Sequence, residues 1–178
     1  MFTWRLTRLA ILGVLLLPSI IDVAQTQNRV SAIPLEVSLS SDRTSGTLGD
    51  SIVLTTAVKN VGSDPIFVYG ALDWGPSSSF FLFVTDENGK SVPMSYFDDA
   101  LPPMPSKKDK ALFIKLNPGV FLGTNRTDKL SELVPRPGTY YFQVVYHGAA
   151  PRRFAAGQPA WGTEDPPVVS NKVRIDVQ

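Results

Sequence analysis

Cysteine is absent from the 178 residues, and histidine occurs once, at His147. Without cysteine there are no disulfides, no zinc–thiolate centres, no thiol catalysis and no cysteine-linked lipid anchor. With one histidine, a hydrolytic triad has a single base to draw on, and no Gly-x-Ser-x-Gly occurs. A zinc site needs several His, Cys or carboxylate ligands and is disfavoured on the same ground. After residue 24 no apolar run approaches the roughly 20 residues of a membrane-spanning helix. Amphipathic helical stretches of useful length are missing too, which argues against an α/β enzyme fold. An excess of one charge is also lacking. The 17 basic and 16 acidic residues include Arg5, Arg8 and Asp22, so residues 25–178 are formally neutral. Nucleic acid and anionic lipid are held by clustered, excess Lys and Arg. The one such cluster, Lys107, Lys108 and Lys110, has Asp109 within it. The expectation is a protein that is not an enzyme, holds no metal or cofactor, and binds neither nucleic acid nor, once exported, a membrane.

What is present begins with a three-part N-terminus. Arg5 and Arg8 precede an apolar run over residues 9–17, interrupted only by Gly13; Pro18 and Ser19 break it, and Ala24 is a small residue that a signal peptidase accepts. Residues 1–24 therefore read as a cleavable secretory signal peptide. Asp22 fits poorly at the third position before the cut, and Ser19 offers another site. Residues 25–32 read as a short disordered leader and 33–178 as one domain, placed in the periplasm or outside the cell.

Within 33–178 apolar residues recur every second position, the period of a strand with one buried face. Ile33, Leu35, Val37 and Leu39 form the first such set, and Ile52, Leu54, Thr56 and Val58 the second. Further strands are expected at 66–69, 80–84, 111–116, 120–122, 140–147 and 168–177. In the last, Val173, Ile175 and Val177 share one face, and Lys172, Arg174 and Asp176 the other. Asn88-Gly89 marks a hairpin, because both residues tolerate positive φ. Its return strand, near 90–94, contains Pro93 and so reads as an edge. One helical turn is expected within 128–133, stopped by Pro135 and Pro137. Residues 95–110 and 148–167 read as long loops. Seven to nine short strands with Gly and Pro turns give an all-β antiparallel sandwich.

Three local patterns carry a family likeness. Leu48-Gly49-Asp50-Ser51-Ile52, followed by Ala57-Val58-Lys59-Asn60-Val61-Gly62, resembles the second strand and turn of bacterial extracellular immunoglobulin-like modules. There Asn60 and Gly62 are the residues that a left-handed turn requires. Pro137-Gly138-Thr139-Tyr140 resembles the tyrosine corner of immunoglobulin-like sandwiches, whose hydroxyl bonds back to the backbone. Ser170-Asn171-Lys172-Val173 resembles the approach to their closing strand. The chain departs from the usual corner, since Arg136 stands where an Asp is common and Phe142 where antibody domains place a cysteine. The resemblance, to cell-adhesion-related and protease-inhibitor-like sandwiches, implies a non-catalytic scaffold with partner contacts in its loops. It carries over no functional residue, because no site motif matches.

Candidate sites follow from the loops. Trp74, Tyr96, Phe97, Phe154 and Trp161 lie in or beside them rather than on alternating strands. Exposed loop aromatics are common in binding surfaces; the ordinary alternative is that they fold back as lids over the sandwich end. Trp74, Phe97, Arg152, Arg153, Phe154 and Trp161 are the candidate contacts to an unidentified protein or glycan partner. Asn60, Gly62, Gly138 and Tyr140 are candidate structural residues. A second reading is an inhibitor-like sandwich that inserts the Pro-rich loop around Pro102, Pro103 and Pro105 into a protease cleft. A third is an accessory domain of an extracytoplasmic enzyme. His147 is expected to face solvent at a strand end. Asp98 and Asp99 do not form a calcium loop, Met94 and Met104 with His147 are a remote copper set, and Asn125-Arg126-Thr127 matches a glycosylation acceptor.

Overall fold

The computed structural model describes residues 33–75, 78–93 and 110–178. The signal and leader assigned to 1–32, the candidate Phe97, the Pro-rich loop with Tyr96, the Asp98–Asp99 pair, Met94 and Met104, and Lys107 to Asp109 lie outside these residues.

The alternating segments form strands because each buries one face. β1 (Leu35–Ser41) buries Leu35, Val37 and Leu39, and β3 (Ser51–Asn60) buries Ile52, Leu54, Thr56, Val58 and Asn60. Between them lies a two-residue strand, β2 (Ser45–Gly46). β4 (Ile66–Tyr69) follows, then β5 (Phe80–Asp86), β6 (Phe113–Leu116), β7 (Phe121–Lys129) and β8 (Gly138–Tyr146). The chain ends in β9 (Ala160–Trp161), β10 (Val168–Val169) and β11 (Val173–Val177). The helical turn expected within 128–133 is α1 (Leu130–Leu133), which buries Leu130 and Leu133. Among the described residues there are eleven strands, of which β2, β9 and β10 have two residues each.

One sheet has the order β1-β3-β7, and the facing sheet has β10-β8-β11-β2 with β5 on the other side of β8. The pairs are antiparallel except β11 with β2 in these sheets. Their inner faces share one apolar core, in which Ile52, Leu54, Val58, Phe80, Phe142, Val144, Tyr146 and Ile175 are 0 % exposed. This is the expected all-β sandwich. The tyrosine corner is formed: β8 opens at Gly138, and the Tyr140 hydroxyl donates to the Arg136 carbonyl at 2.9 Å. Tyr140→Phe deletes that bond and little else; thermal unfolding should show a loss of about 1 kcal/mol.

Several local expectations are corrected. β7 has nine residues, not the three of 120–122; its inner face carries Thr124, Arg126 and Asp128, so no apolar alternation marks it. The closing segment is two strands, β10 and β11, because Ser170 turns inward to bond Val144 N–H through its hydroxyl. The hairpin has a three-residue loop closed by Asp86 and Lys90, and only Gly89 takes positive φ. Asp86 Oδ1 accepts the Asn88 and Lys90 amides, which fixes that loop. The return strand is a single bridge, Thr85 to Ser91. Asn60 and Gly62 are not left-handed. The buried Asn60 amide instead donates to the Asp64 and Leu116 carbonyls and accepts Gly62 N–H. Gly62 lies in close approach instead: a Cβ there would meet Pro34 Cβ at 3.0 Å, a tight contact.

Candidate functional site

Three long connections meet at one end of the sandwich: β3 to β5, β5 to β7, and β8 to β11. Each contributes one strand to a third sheet, ordered β6-β4-β9. β4 pairs antiparallel with β6 and parallel with β9, so Val68 lies between Ile114 and Trp161. Residues 148–167, read from sequence as loop, thus hold β9 and a 3-10 turn, Arg152–Ala155.

Strand alternation gives the third sheet two different faces. Val68 and Trp161 turn into the main core, with Ile66 and Leu116 on the same side. Phe67, Tyr69, Phe113 and Ala160 point the other way. There they form a second, smaller core with Ala149, Ala150, Phe154 and Ala155. Tyr69 and Phe113 meet edge to face at 5.6 Å. Burial, with Asp73 nearby, raises the Tyr69 hydroxyl above its ordinary pKa.

The segment that carries Arg152, Arg153 and Phe154 is tied down at its base. The Arg152 guanidinium forms an ion pair with Asp165, and the same carboxylate accepts Gly162 N–H. Arg152 N–H donates to Glu164, and that bond holds the Glu164 carboxyl below its ordinary pKa. Gly148 and Gly162 cross with their backbones in contact; a Cβ on Gly148 would lie 2.4 Å from the Gly162 carbonyl carbon.

These contacts place each candidate residue. Arg152 and Arg153 are exposed, and Arg153 stacks over the ring of the half-buried Phe154 at 4.9 Å. Trp74 is half-buried on the other side of the end, between Phe80 at 5.4 Å and the Arg126 guanidinium at 5.8 Å. Trp161 departs from its expectation as an exposed contact. It is 5 % exposed because β9 turns its indole into the main core. Ile33, expected on the buried face of the first strand, is exposed instead, together with Val61 and with Val120 and Phe121 of the expected strand 120–122, where β1, β3 and β7 meet this end. Phe121, 66 % exposed, is the most open of them. The signal was legible as apolar residues flanking Asn60 and Gly119, but turns and strand ends hide it.

His147 lies just past β8 and is exposed, with desolvation holding its pKa below the ordinary histidine value. Among the described residues no three His, Asp or Glu side chains group as a metal site. Clefts of about 220 and 300 Å³ lie at the opposite end, around Asp86, Arg136 and Tyr140, away from the loop-built sheet.

No family model matches the chain, and no curated protein matches it. Similar solved structures include the CARDB domain of PF1109 from Pyrococcus furiosus, at 11 % identity and a TM-score of 0.39, covering 81 % of this chain and 94 % of that one. Spo0M, a sporulation control protein of Bacillus subtilis, has 9 % identity and a TM-score of 0.43, over 82 % of this chain and 49 % of that one. A β-glucosidase of Listeria innocua has 13 % identity and a TM-score of 0.41, over 80 % of this chain and 16 % of that one. The chain therefore spans about half of the sporulation protein and a small part of the glucosidase.

Proposed function

We propose that the chain is an exported, non-catalytic binding module whose contacts are made by the loop-built end. One observation carries the reading: three connections are knitted into a sheet with its own apolar core, and that core seats Phe154 and holds Arg152 and Arg153 outward. Ordering loops before a partner arrives lowers the entropy cost of binding. Partner class, protein or glycan, is part of the proposal, as is export through residues 1–24. Arg153 is the residue to change, because it is exposed and in no ion pair among the described residues. Full-length protein immobilised on beads, incubated with the secreted and periplasmic fraction of its source cells, should retain a partner. Arg153→Glu should weaken that retention at least tenfold while the melting temperature stays within about 2 °C, as is usual for surface changes. Equal retention by the variant would remove this surface from the reading.

The inhibitor-like reading places its contact on the Pro-rich loop at 102–105. Stoichiometric inhibition of any member of a protease panel would favour it.

A further inference from the structure

The sandwich has outer strand edges, and an outer edge offers unpaired N–H and C=O groups to any passing strand. Two are closed by particular groups. At β1, the Asn171 side chain donates to the Leu39 carbonyl and accepts its N–H, both at 2.9 Å, in imitation of a neighbouring strand. At β5, Phe80 bonds Asp73 and Gly75, and Val84 accepts from Val92.

β7 is treated differently. Asn60 N–H bonds the Val120 carbonyl, which sets the phase of the ladder with β3. Leu122, Thr124, Arg126 and Asp128 then bond β3, while Phe121, Gly123, Asn125 and Thr127 turn their backbone groups outward. Among the described residues no backbone group pairs with that outward edge. The inner face of the same strand carries an ion pair beside Leu54 and Ile52 of β3: Arg126 Nε lies 2.9 and 2.7 Å from the two Asp128 oxygens. The Arg126 guanidinium also stacks over Trp74. The two side chains retain 16 % and 5 % exposure.

We infer that the Arg126–Asp128 pair guards the open edge of β7 against pairing with a second copy of this chain. A strand added beside β7 would set its own inner-face side chains against the pair and seal its remaining access to water. Burying an ion pair further is costly even when the pair is intact, so the edge stays unpaired without a proline or a bulge within it.

The test removes both charges together, because a single change would leave the other buried alone. Replacing a buried pair by aliphatics is often neutral or stabilising, so Arg126→Leu/Asp128→Val should remain folded by circular dichroism. Light scattering after size exclusion should give monomer for the wild-type chain and at least a doubled mass for the double variant, at concentrations of about 100 μM. Adding Thr127→Pro removes an outward N–H at a position where an edge tolerates proline, and should restore the monomer. A folded double variant that stays monomeric overturns the inference. So does association that Thr127→Pro leaves intact, or a wild-type chain that already pairs through β7. If the double variant does not fold, Arg126→Gln/Asp128→Asn, which removes both charges and keeps an amide donor near the position of Arg126 Nε, decides by the same readings.

Discussion

Trp161→Ala is expected to lower the melting temperature by roughly 10 °C, the largest effect of any single side-chain truncation at the loop-built end. Removing a buried Trp costs about 3–5 kcal/mol, and each kcal/mol moves the midpoint by about 2–4 °C in a domain of this size. The reason lies in the register of β9 on β4, which puts the indole beside Val68, within the main core. Among the described residues the buried indole Nε1 has no hydrogen-bond partner, so its polar atom contributes no bond there that a variant would lose. Trp161→Phe should therefore cost less than about 1.5 kcal/mol, since it keeps most of the apolar volume. Differential scanning calorimetry on the two variants separates a lid from a contact residue. If Trp161→Ala melted with the wild type, the indole would not be part of the core.

Gly148→Ala is expected to have the second-largest effect, about 3 kcal/mol, and to act locally. Its new methyl group would stand 2.4, 2.5 and 2.6 Å from the carbonyl carbon, oxygen and Cα of Gly162. All three are main-chain atoms, so no side chain can swing aside, and overpacking of this kind costs about 1–3 kcal/mol even where neighbours yield. The nearest relief is separation of the two crossing segments. That would break the bond from Thr163 N–H to the Ala150 carbonyl and draw Arg152 away from Asp165. Hydrogen exchange should then quicken across residues 148–163 while β3 and β8 stay protected, as expected when one cooperative unit opens before the rest. Gly49→Ala is the control: its methyl would find nothing nearer than the Thr47 hydroxyl at 4.0 Å. Uniform loss of protection in Gly148→Ala, or none, would contradict a local role for the crossing.

The parts of the fold that sequence reveals are those where burial alternates. β1, β3 and β8 repeat an apolar residue every second position, and the same positions are buried. The corner was legible because a glycine and a tyrosine stand at fixed offsets from a strand start, and the hydrogen bond follows. Most of β7 escaped because its inner face beyond Leu122 is polar, so only 120–122 reads as strand. The third sheet escaped for another reason. The β4–β9 bridge joins Val68 to Trp161, 93 residues later, through a two-residue pairing, and nothing local in Pro159-Ala160-Trp161 announces a partner. Loop aromatics look alike in sequence whether they face solvent or core. Trp161 and Phe154 differ in their burial because the first sits on the inner face of a bridge and the second caps a short turn over the smaller core.

The joined connections also bear on how this end can vary. In a sandwich with independent loops, one finger can be lengthened or exchanged while its neighbours hold their shape. Here a graft into residues 61–79 would carry away the strand on which both β6 and β9 depend. New surfaces at this end must then arise by changing outward side chains on a fixed weave, or by replacing all three connections as a set. The tips that lie between the paired segments, such as the turn around Gly157, where an added methyl would meet nothing within 4 Å, are where insertions would be accommodated.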